Sequence, residues 1–82
     1  MKSVDDLING NFNSDEFIDL TNKMLSEDLG NAFIIDRRTL MRLQHIRNGT
    51  NGKYLVQGNK LLRLQIVIVK EPCFMLGVIE LN

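Results

Sequence analysis

The sequence predicts a small α+β domain in which two main helices pack on a short mixed β-sheet. Three observations carry that expectation. Two capping signals each open a stretch of helical periodicity. One run alternates between apolar and polar residues. The patterns follow one another as helix, strand, helix, strand, strand. With 82 residues there is room for one domain, expected over 1–82 with 1–12 as a lead-in and 13–82 as the core. Apolar residues make up 44% of the chain, enough to build a core rather than leave a disordered tract.

Taken in order, Ser3-Val4-Asp5-Asp6 fits a capping box on a short helical turn that Gly10 ends. The next start is better marked. Asn13 stands at the N-cap position with Glu16 three residues on, and Phe12 and Phe17 are placed to form a hydrophobic staple. Phe17, Leu20, Met24 and Leu25 then form one apolar face, with Gly30 as the stop, so a helix is expected over about 14–29. Ala32-Phe33-Ile34-Ile35 suits a buried strand. Asp36 caps a second helix with Leu40, Leu43 and Ile46 on one side and Arg38, Arg42 and His45 on another. Two Asn-Gly pairs between Asn48 and Gly52 end it in a turn.

Leu62 to Val69 is the strongest strand signal, Glu71-Pro72 breaks it, and Phe74 to Leu81 forms the last strand. Gly77 within it marks a bulge or a close-packing point. Gln65 to Val69 has high β-propensity and no charge, which makes it hazardous as an open edge. Either the helices mask it or another chain pairs with it.

The chemistry that these residues exclude is informative. One cysteine, Cys73, and one histidine, His45, assemble neither a disulfide nor a His/Cys zinc set within a chain. The adjacent carboxylates Asp5-Asp6 and Asp15-Glu16 sit at helix starts, where acids serve as caps. Gly49 and Gly52 follow a helix rather than a strand, the wrong setting for a phosphate loop. No catalytic residue, metal or cofactor is therefore expected, and no small-molecule substrate. The N-terminus lacks the apolar core of a signal peptide, and the longest apolar run, Ile66 to Val69, is far too short for a membrane span, so a cytoplasmic chain is expected.

Charge is balanced overall but divided along the chain. Residues 1–30 carry seven acids against Lys2 and Lys23, while residues 31–82 carry eight bases against Asp36, Glu71 and Glu80. Such a division can match an acidic face of one copy to a basic face of the next, or leave two solvated faces on a monomer. Arg37, Arg38, Arg42 and Arg47 could also grip phosphates. Overall neutrality, and the position of Asp36 directly after a strand, weigh against nucleic acid as the partner.

The stretch from about Asp15 to Lys70 resembles part of the major capsid protein of tailed bacteriophages, the Hong Kong 97-type fold. In that family a short apolar strand ends in a turn such as Asn-Pro-Arg-Thr, which opens a helix with spaced leucines and basic residues. Here Phe33-Ile34-Ile35-Asp36-Arg37-Arg38-Thr39-Leu40 stands at that place, followed by Leu43. An Asp/Asn-Gly turn and Gly-x-Tyr-Leu come next in the family, and here Asn51-Gly52-Lys53-Tyr54-Leu55 follows Asn48-Gly49. The family's strand of the form Leu-Leu-Gly-x-Pro-Val is matched by Leu61-Leu62-Arg63-Leu64-Gln65-Ile66, with Arg63 and Gln65 in place of the glycine and proline.

The resemblance implies the central axial domain of the capsid subunit, whose copies pack into pentamers and hexamers. Its implied function is structural: a phage or prophage capsid fragment or assembly domain, with itself or other capsid-type subunits as partners and the virion as a destination. The matched segment includes no counterpart of the peripheral long helix or of the interlocking loop. An oligomerising interaction module or assembly regulator is the alternative. The candidate interface residues are Arg37, Arg38, Arg42, Asn51, Gly52 and Tyr54.

Overall fold

Helix formation begins with local hydrogen-bonding codes. The computed structural model describes residues 3–47 and 52–80. Ser3 and Asp6 close a reciprocal capping box at the start of α1 (Val4–Ile8), and Gly10 follows with φ 81°. Asn13 and Glu16 do the same for α2 (Ser14–Ser26). The rings of Phe12 and Phe17 meet across that cap at 6.1 Å between centroids, as a staple should.

Helix α2 stops at Ser26, short of the expected end near residue 29. Asp28 takes the left-handed conformation, φ 53°, in which Gly30 was expected. Gly30 serves packing instead. A Cβ on it would lie 2.3 Å from the carbonyl oxygen of Gly77, so two backbones cross there with no room for a side chain. Gly77 is likewise a close-packing point, because the Ile34 side chain lies where its Cβ would be.

β1 (Ala32–Asp36) runs straight into α3 (Arg37–Leu43), and the Asp36 side chain caps that helix through the Thr39 N–H. Helix α3 ends at Leu43, where the chain leaves it to pair, and the expected Asn-Gly turn, apart from Gly52, lies outside the described residues. The Leu55 N–H donates to the Ile46 carbonyl at 3.0 Å, and Arg47 bridges Tyr54. Ile46 therefore stays buried although it lies outside the helix.

Five strands are present where three were expected. β2 (Val56–Gln57) and β3 (Lys60–Leu61) form a hairpin, β4 (Leu64–Val69) follows, and β5 (Phe74–Gly77) is last, in the order β2-β3-β4-β1-β5. β1 is parallel to β4, and the remaining pairs are antiparallel. The expected strand from Leu62 begins at Leu64, since Leu62 and Arg63 form the turn before it with φ 49° and 74°. β4 thus lies between β3 and β1 in the sheet, but β3 pairs with Leu64 and Gln65 alone, so residues 67–69 have a partner strand only on the β1 side among the described residues.

The core lies between the helices and one face of the sheet. Phe33, Ile35, Phe74 and Leu76 line that face, and Phe17 of α2 with Leu40 and Leu43 of α3 pack on it. Phe74 contacts Phe33 and Phe17 at centroid distances of 5.6 and 6.0 Å. Leu7 of α1 is fully buried in the same cluster, so the lead-in segment packs with the core. The fold is α+β, with three helices and a mixed sheet.

Candidate interaction surface

The junction of β1 and α3 organises the cations. Asp36 is buried, and each carboxylate oxygen accepts one backbone N–H: Oδ2 from Thr39 and Oδ1 from Cys73, both at 3.1 Å. Burial alone would raise its pKa. The nearby Thr39 hydroxyl and these N–H groups outweigh that and hold the carboxyl below its ordinary value. The Thr39 hydroxyl itself is buried beside the carboxylate without closing a well-formed hydrogen bond. Cys73 is half-buried one residue before β5, and its thiol is pushed up by burial and by the negative charge of Asp36. A thiol so held is a poor nucleophile.

With Asp36 fixed, Arg37 and Arg38 begin α3 exposed to solvent. They line a cleft of about 950 Å³ at the carboxyl ends of the parallel strands β1 and β4, together with Arg42 and Lys70. Ile68 and Pro72 add apolar wall. On the outer side of α3, Met41 is 59% exposed and flanked by Arg37, Arg38 and His45.

Arg42 differs from its neighbours. It is half-buried, its guanidinium donates to the Ile8 carbonyl, and a Cβ on Gly10 would meet it at 3.2 Å. Its first task is to tie the end of α1 to α3. Gly52 and Tyr54 lie beyond the other end of α3, so the six candidates do not form one site. Asn51 lies outside the described residues.

The Tyr54 ring lies 4.5 Å beneath the guanidinium of Arg47, just past α3, and its hydroxyl accepts from Arg47 at 2.8 Å. Lys53, Lys60 and Arg63 surround it in a shallow second basic patch.

One surface was missed at the sequence level. The register sets Val67, Ile34 and Met75 side by side on the sheet face opposite the core. They lie outside the core cluster, with Met75 47% exposed. The signal was available: strands apolar on both faces ask for cover on both faces, and these helices cover one. Among the described residues, no group of three or more His, Cys, Asp or Glu could hold a metal ion. No helix among them is long and apolar enough to cross a membrane. Comparison with protein-family models, curated proteins and solved structures found no match.

Proposed function

We propose that this chain is a phage or prophage structural protein, an assembly domain of the capsid type, and that it is not an enzyme. The observation that carries the reading is Arg63. In the capsid resemblance this position holds glycine, and here the backbone adopts φ 74°, the left-handed region that glycine occupies without strain. A left-handed backbone at this position is one that glycine would suit, and this supports the resemblance. The strand–helix unit β1–α3 and the strand β4 also occur in the order in which the matched motifs run.

An apolar row open on one sheet face and a cation-lined cleft support association rather than turnover. The acid–base and nucleophile constellations of catalysis have no counterpart in the surfaces described, since Asp36 is saturated by backbone donors and the Cys73 thiol is held protonated.

Co-expression of the tagged chain with a full-length tailed-phage capsid subunit tests the reading. Recovery of the subunit with the tag, resistant to unrelated competitor protein, is expected. A chain that captures no capsid subunit and also stays monomeric when concentrated would overturn it. Weak nucleic-acid binding is a second reading, favoured by the basic patch around Tyr54. It calls for binding to single-stranded RNA that falls steeply with salt.

A further inference from the structure

We infer that the cationic cleft at the carboxyl ends of β1 and β4 seats the Asp15–Asp19 face of α2 from a second copy of this chain. The inference rests on the assembly reading and names the contact through which copies would meet. Arg37, Arg38, Arg42 and Lys70 line the cleft against a single carboxylate, Asp36, whose two oxygens already hold backbone N–H groups. Of the four cations only Arg42 is engaged within the fold, on the Ile8 carbonyl. Arg37, Arg38 and Lys70 are exposed and make no ion pair among the described residues.

Arg37 and Arg38 also stand in the first turn of α3, where the helix dipole disfavours positive charge. The fold therefore holds cations at a locally unfavourable place without an internal partner. An external anion would offset that cost.

The complementary surface lies on the same chain. Asp15 and Asp19 are exposed one turn apart on α2, so their carboxylates share one side of the helix, and neither pairs with a described cation. Half-buried Ile18 lies between them. On the cleft, Ile68 is 48% exposed and Met41 stands on the adjoining face of α3, so docking would cover apolar surface on both sides of the charge pairing. Because the patches that meet are different, the contact can be returned in a two-fold pair or passed round a ring. The capsid reading calls for the ring.

Two charge reversals and their mixture test this by sedimentation equilibrium at low salt. The Arg37→Glu/Arg38→Glu variant places acids in the first turn of α3, where the dipole favours them, so its melting temperature should not fall. Asp19→Lys, outside the first turn of α2, is the matching acid-side variant. The double arginine variant should weaken self-association by about tenfold, as expected for losing two exposed ion pairs, and Asp19→Lys by about threefold or more, as expected for losing one and reversing its charge. An equimolar mixture of the two should recover most of the loss, since each variant then offers what the other lacks.

If the wild type associates and the variants associate equally well, the inference is overturned and the assembly reading stands. If both variants weaken association but the mixture does not recover, the pairing is overturned. If the wild type never associates, both fall. Binding of short polyuridylate in that last case would assign the cleft to phosphate instead.

Discussion

Gly30→Ala is the substitution that most sharply tests the packing of β1 on β5. The added methyl would lie 2.3, 2.6 and 2.7 Å from the oxygen, carbon and nitrogen of Gly77, all backbone atoms that no rotamer change can move. Relief requires the strand ends to part. Three hydrogen bonds hold them: Asn31 N–H to the Gly77 carbonyl at 2.9 Å, and the Asn31 amide to both the Ile79 carbonyl and N–H at 3.0 and 2.9 Å. Losing two or three at about 1 kcal/mol each gives roughly 2–3 kcal/mol, in the range found for overpacking a tight site. In a domain of this size that lowers the melting temperature by roughly 8–24 °C. Thermal unfolding followed by circular dichroism measures it. Gly58→Ala is the control, since φ is 64° with nothing within 4 Å, leaving only backbone strain of about 1 kcal/mol. A Gly30→Ala loss no larger than the control's would refute the close crossing of β1 and β5.

Arg63→Gly should stabilise the domain by about 0.5 kcal/mol, relief of left-handed strain exceeding the added chain entropy. A urea titration showing net destabilisation would mean that the Arg63 side chain makes a contact the fold depends on. Asp36 has a lowered folded-state pKa, so its contribution is present above the unfolded value near 3.8 and is lost as pH falls through the folded value. Asp36→Asn, which can accept only one of the two N–H groups, should cost about 1–3 kcal/mol at neutral pH and progressively less in acid. Equal losses at neutral pH and at pH ~3 would contradict that. Arg42→Ala should cost about 1–2 kcal/mol by freeing the Ile8 carbonyl and the packing over Gly10, with faster amide exchange in α1 as its local signature.

What the sequence reveals well here is what depends on a few adjacent residues. The caps at Ser3, Asn13 and Asp36 are closed by partners three positions on, so the residue types alone announce them. The β2–β3 hairpin was missed although its turn carried a local signal. Gly58-Asn59 between Val56-Gln57 and Lys60-Leu61 is a two-residue turn signal, with glycine at the first central position, but strands of two residues give no periodicity to notice.

The turn at Leu62-Arg63 was not legible. Two positive φ angles in such a turn ordinarily call for Asn-Gly, and here a leucine that packs against the core and an arginine continue the alternation of the strand that follows. The Gly30–Gly77 crossing and the parallel pairing of β1 with β4 join residues far apart in sequence, so only the folded chain brings them together. For the interaction surface, residue type marked Arg37, Arg38 and Arg42 alike as candidates. It could not separate the first two from Arg42, which the docking of α1 turns into a structural tie.

The most direct measurement is the mass of the protein by light scattering across a concentration series, at low and at high ionic strength. Self-association at low salt is expected, seen as a mass that rises above the 9.4 kDa of one chain with concentration and falls back as salt screens exposed charge. A mass fixed at one chain at every concentration and salt would contradict an assembly domain.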